Sequence, residues 1–175
     1  MPDDRGNIVI QTATADDAPL LAAVGVVTFY EAYFEQDEPA DMATYLSETF
    51  SEDAMSAELA DDGVTYFICL RDGKAVGYAK LLRGSTAQGV AKNSVELKRI
   101  YLVERVWGLG VGDILLEHCI AAARQEWYDA IWLGVWEENS RARKFYARHG
   151  FVEVGTVEFP YGDIVGINRV VEKKL

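Results

Sequence analysis

The chain has 175 residues and 19.5 kDa, half of them hydrophobic, and 28 acids against 17 bases give a net charge of −11. That size suits one domain over residues 1–175 with ample core, and the composition excludes disorder and collagen-like order. The acidic balance argues against sequence-independent nucleic-acid binding and against anionic membranes, and no apolar run approaches the length of a membrane span.

Taken in chain order, residues 7–12 carry Ile8, Val9 and Ile10 and read as a short strand. Thr14 has the chemistry of a helix N-cap, with Asp16 and Asp17 in the first turn, where the helix dipole favours negative charge. Leu20, Val24 and Val27 continue at helical spacing to about Phe34. After the charged break of Glu35, Gln36, Asp37 and Glu38, Pro39 suits a helix first turn. Two short helices are expected next, one over 41–48 and one after Ser51, with Asp62-Gly63 closing the helical block. Residues 64–70 read as a strand, Asp72-Gly73 as a two-residue hairpin turn and 75–82 as the partner strand. The polar stretch 84–93 is expected to be a flexible loop. Strands follow at 94–102 and 130–136, separated by a helix that carries Val111, Leu115 and Cys119 on one stripe. Asn139 caps a short helix that stops at Gly150. Residues 151–159 and 164–171 form a final antiparallel pair. This order predicts a mixed α/β (α+β) fold, a mostly antiparallel sheet of about six or seven strands flanked by helices.

Cys69 and Cys119 lie inside apolar segments and read as buried thiols in a reducing cytosol. With only His118 and His149 beside them, no metal site is expected. No leader peptide or lipidation motif is expected, so the predicted location is cytoplasmic.

The segment richest in chemistry runs from Glu96 to Asp113. A strand ends, Gly108, Gly110 and Gly112 follow, and a helix begins. Glycine admits positive φ and close approach of a ligand, and the free amides at a helix N-terminus suit phosphate oxygens. The nucleotide P-loop does not apply, because no Gly-Lys-Ser/Thr follows, and the spacing is not that of the dinucleotide fingerprint. Glycines alone leave a plain helix-starting turn as the simpler reading. A second segment changes this balance. Asn139, Phe145, Tyr146, Gly150 and Phe151 form the pattern Asn-x-x-Ala/Arg-x-x-Phe-Tyr-x-x-x-Gly-Phe.

Together the two segments resemble the acetyl-CoA site of the GCN5-related N-acetyltransferase family, over nearly the whole chain in element order. Three stretches, 28–34, 95–101 and 131–137, and the ending from Tyr161-Gly162-Asp163 onward, resemble its PaiA branch of bacterial spermine/spermidine acetyltransferases. The family usually has Gln or Arg three residues before the first glycine of the last pair, where this chain has Trp107. The resemblance implies acetyl-CoA as acetyl donor, lying in a V-shaped splay between strands 94–102 and 130–136. It implies that Ile100, Tyr101 and Leu102 serve the pantetheine arm and acetyl carbonyl. Main-chain amides of Gly108, Leu109, Gly110, Val111, Gly112 and Asp113 would hold the diphosphate. Asn139, besides its capping role, would touch the donor.

The resemblance makes Tyr146 the catalytic candidate that also touches the donor: a phenol can give a proton to the departing thiolate. The acceptor amine, with a pKa of about 10, must lose a proton before it attacks. Glu96 shares a strand face with Ile100 and Leu102 and either takes that proton or makes a cross-strand ion pair. No covalent acyl-enzyme is indicated, so direct attack in a ternary complex is expected. The acceptor region is placed between the first two helices and the loop before the last strands, with Phe29, Tyr30, Tyr33 and Glu31 as substrate-binding residues and Glu35, Asp37, Glu38 and Asp41 beside them. Aromatic rings and carboxylates suit a small cationic amine, a polyamine above all, while a solvated acidic helix end accounts for the same residues. The partner set is therefore a small-molecule amine, without nucleic acid or membrane, and with a homodimer allowed. A protein N-terminal or lysine acetyltransferase, and an acetyl-CoA-binding module without chemistry, are the alternatives.

Overall fold

A computed structural model describes residues 5–161 and 164–175. Gly162 and Asp163, part of the polyamine-branch resemblance, lie outside the described residues. The strands are β1 (Ile8–Thr12), β2 (Val64–Arg71), β3 (Lys74–Leu82), β4 (Ser94–Leu102), β5 (Ala130–Trp136), β6 (Val152–Tyr161) and β7 (Ile164–Lys174). The helices are α1 (Ala18–Tyr33), α2 (Pro39–Thr49), α3 (Glu52–Leu59), α4 (Val111–Gln125) and α5 (Ser140–Arg148). The seven strands are ordered β1-β2-β3-β4-β5-β7-β6. β1 with β2, β5 with β7, and β6 with β7 pair antiparallel, and β4 pairs parallel with β5. This is the mixed, mostly antiparallel α/β sheet that the element order predicts.

The chain packs as two compact units, Met1–Leu81 with Arg99–Cys119, and Leu82–Lys98 with Ile120–Leu175. In the first, the Thr14 amide donates to the Asp17 carboxylate at 2.7 Å, and α1 follows. This helix buries Ala18, Leu21, Gly25, Thr28 and Phe29. Leu20 and Val27, two of the three residues whose spacing marks the helix, are 39% and 43% exposed. The spacing finds the helix but not its inward side, because α1 is apolar nearly all round and offers no polar face to orient it. Gly25 sets how close the helix comes to its neighbour. A methyl group there would lie 2.2 Å from the Phe50 ring. Ser51 caps α3, its hydroxyl accepting from the Ala54 amide at 3.1 Å. Asp72 and Gly73, at φ of 51° and 77°, make the turn between β2 and β3.

In the second unit, the stretch 84–93 differs from the flexible loop predicted. The Ala91 amide donates to the Glu172 carboxylate at 2.6 Å, and Asn93 Nδ2 donates to the Trp127 carbonyl at 2.8 Å. Polar composition signals a loop correctly. It does not reveal long-range partners, which here fasten the loop to β7 and to the end of α4. The ladder of β6 with β7 runs from Val152↔Glu172 to Tyr161↔Ile164, with an irregularity between Glu153 and Gly155.

Candidate active site

In the first unit, the Val103 amide donates to the Val76 carbonyl at 2.9 Å as β4 ends, and a single 3-10 turn follows at Glu104–Val106. Gly108 and Gly110 both take φ of 78°, a conformation that side-chain-bearing residues rarely adopt. The helix α4 then starts at Val111, so Gly112 and Asp113 belong to its first turn. First-turn amides have no acceptor within their own helix, and the dipole places partial positive charge there. A methyl group on Gly108 would meet nothing within 4 Å among the described residues, so the loop presents open main chain. These residues fit a diphosphate. Trp107 offers no N–H to it, since its indole nitrogen donates to the Leu102 carbonyl at 2.8 Å.

Ile100, Tyr101 and Leu102 are half-buried at the end of β4. The Tyr101 and Tyr33 hydroxyls lie 3.3 Å apart. Burial, with the Tyr33 phenol alongside, pushes Tyr101 well above the ordinary phenol range, and burial raises Tyr33 too. The four residues proposed for the acceptor take different positions. Phe29 is buried, with its ring centroid 4.5 Å from those of both Tyr33 and Tyr45. Tyr30 is 47% exposed and its ring lies 5.4 Å from that of Phe34. The Glu31 carboxylate accepts the Glu104 amide at 2.6 Å, just ahead of the glycine loop. Glu35 and Glu38 are exposed and Asp37 and Asp41 are half-buried.

A polar cluster missed in the sequence lies under this block. The Glu58 carboxylate of α3 pairs with Lys80 Nζ at 2.7 Å and accepts from the Tyr66 hydroxyl. Arg99 Nη1 donates to that hydroxyl at 2.8 Å. Burial alone would raise the Glu58 pKa, yet Lys80, Tyr66 and Arg99 hold it below the usual carboxylate range. The available signal was that Lys80 stands within the apolar stretch 75–82 of β3, and Arg99 on the same strand face as Val95, Leu97 and Tyr101, where a cation requires a partner.

The second unit holds the residues proposed for proton transfer. β4 pairs with β5 at Ser94↔Ala130, Val95↔Ile131 and Glu96↔Trp132. Glu96 is 4% exposed; its Oε1 lies 3.1 Å from Lys98 Nζ, while its buried Oε2 has no hydrogen-bond partner among the described residues. The ion pair is therefore with a neighbour on the same strand, two residues on, rather than across strands. The Asn139 side chain accepts from the Ala142 amide at 3.0 Å and caps α5. Tyr146 is buried on this helix, its ring 5.6 Å from that of Phe151. Arg169 of β7 bridges Glu137 at 2.9 Å and Glu153 at 3.0 Å, tying the end of β5 to β6. Burial pushes the Cys69 thiol up to about 11 and the Cys119 thiol up to about 12, which leaves neither a ready thiolate. No helix among the described residues is long and apolar enough to cross a membrane.

The model of the acetyltransferase (GNAT) family matches residues 24–151. An uncharacterized N-acetyltransferase of Lactobacillus delbrueckii subsp. lactis is 32% identical over 157 residues, covering 89% of this chain and 91% of that protein. Among solved structures, the PaiA N-acetyltransferase of Thermoplasma acidophilum in complex with coenzyme A superposes with a TM-score of 0.78 at 20% identity, over 97% of this chain and 99% of that one. The ribosomal-protein-S18-alanine N-acetyltransferase of Escherichia coli gives 0.68 at 19% identity, over 96% and 94%. At these identities the two structures show a shared fold.

Proposed function

The chain belongs to the acetyltransferase (GNAT) family and is an acetyl-CoA-dependent N-acetyltransferase; on that premise we propose that its acceptor is the primary amine of a small polycation, of the spermidine and spermine class. One observation carries the acceptor class. Residues 6–70, which include α1, α2 and α3, contain 13 acids and no Lys, Arg or His. The whole negative excess of the chain therefore sits in this block, and a field of one sign raises the local concentration of a cation of the other. The resemblance of residues 28–34, 95–101 and 131–137 to the polyamine branch of the family supports the same class.

In the reaction we propose, Glu96 takes a proton from the acceptor ammonium, directly or through water. Its buried, unpartnered Oε2 is the atom suited to receive it. The amine lone pair then attacks the thioester carbonyl, the carbon–sulfur bond breaks, the Tyr146 hydroxyl protonates the departing thiolate, and the second proton of the attacking nitrogen returns to the Tyr146 phenolate. The main chain of Ile100, Tyr101 and Leu102 and the amides from Gly108 to Asp113 hold the donor, with Asn139 beside it. Holding both reactants in one complex supplies much of the acceleration by converting a bimolecular encounter into an internal one.

The test is a panel of amines with acetyl-CoA, followed by release of free thiol. Spermidine and spermine should be acetylated at rates that fall with rising salt, since screening weakens the attraction. Equal activity on neutral amines would remove the polycation reading. Selective activity on peptide N-termini or lysines would move the acceptor class to proteins.

A further inference from the structure

We propose that Trp132 is a positioning residue for proton transfer: its indole N–H holds the water through which Glu96 takes the proton of the acceptor amine. The inference rests on the reading that Glu96 is the proton acceptor. Three observations support it.

The first is a matched pair of unsatisfied atoms. Among the described residues, Glu96 Oε2 and Trp132 Nε1 are both buried and both without a hydrogen-bond partner. The one is an acceptor and the other can only donate. Each residue is 4% exposed, so bulk solvent does not satisfy them. A buried indole N–H or carboxylate oxygen left without a partner is the exception in folded proteins.

The second is register. Glu96 and Trp132 are direct partners in the parallel pairing of β4 with β5. Paired residues on neighbouring strands project to the same face, about 4.8 Å apart at the backbone. The donor and the acceptor thus rise side by side. Their other neighbours are already engaged. Lys98 Nζ takes Oε1, the second oxygen of Glu96, at 3.1 Å. Glu172, which pairs with Trp132 from β7, receives the Ala91 amide at 2.6 Å.

The third is place in the ladder. The pair Glu96↔Trp132 closes the β4–β5 pairing, while β5 runs on to Trp136 beside β7. It therefore stands at the root of the splay expected to hold the donor. A donor and an acceptor on one buried face supply the polar partners that an internal water needs. This water accepts the Trp132 N–H with one lone pair and donates a hydrogen to Glu96 Oε2. Its second lone pair is left for the acceptor ammonium. An ammonium proton passes to the water oxygen as the water's own hydrogen passes to Oε2, so the water is restored and the amine is neutral. Trp132 keeps its hydrogen throughout and touches neither reactant; it fixes where the relay stands.

Nuclear magnetic resonance of the full chain, labelled with 15N at its four tryptophans, tests this. Trp107→Phe, Trp127→Phe and Trp136→Phe each remove one indole signal and assign that of Trp132 by elimination. The Trp132 indole proton should show a cross-peak to a bound water, and Glu96→Gln should shift this signal more than the other three. In steady-state kinetics, Trp132→Phe should lower kcat about tenfold, the scale of one hydrogen bond, and leave coenzyme A affinity near wild type. Added to Glu96→Gln it should have no further effect, because the relay is already broken. A tenfold loss in both backgrounds means that Trp132 acts through packing, and overturns the proposal. Wild-type kcat in Trp132→Phe overturns it too, as does a missing water cross-peak. Thermal midpoints identify any loss due to folding, and if Trp132→Phe does not fold, the cross-peak and its shift in Glu96→Gln decide. Wild-type turnover in Glu96→Gln removes the proton-acceptor reading and the relay with it. Lowered turnover there with an unmoved indole signal removes the role of Trp132 alone.

Discussion

The glycine loop and helix α1 belong to the same packing unit, yet they speak through opposite chemistry. The loop's signal comes from residues without side chains. Gly108 and Gly110 occupy positive φ, and what they present is main chain. The α1 signal comes from side chains that are apolar on nearly every side, and burial selects Leu21 while leaving Leu20 outside. A function carried by backbone can be read from local sequence, because the conformation itself restricts the residue type. A function carried by the direction of a side chain depends on what packs opposite, and that partner comes from elsewhere in the chain.

The largest expected effect tests the helix side of this contrast. Leu21→Ala should cost about 2–5 kcal/mol of unfolding free energy in denaturant titration, and Leu20→Ala under about 0.5 kcal/mol. Equal costs would mean that α1 does not bury the face described. For the side chains proposed for chemistry, Tyr146→Phe should keep coenzyme A affinity and lower turnover about a hundredfold. Unchanged turnover across the pH range would remove the role. Glu96→Gln should lower the rate mainly at low pH, where more of the amine is protonated; a uniform small change would leave only the pair with Lys98.

On the loop side, Gly110→Val should weaken coenzyme A binding by tenfold or more, and Leu109→Val far less, since only the glycine has a backbone conformation hostile to a branched residue. Similar losses would show that side chains, not main chain, define the site. The smallest effect concerns Glu58. Its folded pKa lies below the unfolded value of about 4.3, so the native state binds fewer protons. Its stabilisation is complete above that value and is lost as pH falls through the folded pKa. Thermal midpoints followed downward from pH 6 should therefore fall less steeply in Glu58→Gln than in the wild type.

The same division explains how much of the molecule was legible. β4 and β5 have the expected bounds at both ends, because each lies between polar or glycine-rich segments; β5 is an apolar run, while β4 mixes Val95, Leu97, Ile100, Tyr101 and Leu102 with Ser94, Glu96, Lys98 and Arg99. The Asn139 cap and the glycine stop of α5 are local as well. The structure adds the partners that sequence distance hides. Glu31 reads as an acid for the acceptor, and its carboxylate receives the Glu104 amide. The 84–93 loop reads as free, and Glu172 holds it. The cluster of Glu58, Tyr66, Lys80 and Arg99 draws one residue from each of four elements, so no window of sequence contains it.

The charge pattern of the helical block has a chemical consequence for an enzyme that transfers acetyl groups. The first lysine in the chain is Lys74, and Lys80, next in line, is buried against Glu58. Helices α1, α2 and α3 therefore contain no side-chain amine that could be acetylated. On the proposed reading they concentrate amines without offering one of their own, and a thioester brought near them meets no competing side-chain amine from this block. Self-acetylation of the protein, followed by mass spectrometry of its lysines, would have to begin at Lys74 or beyond.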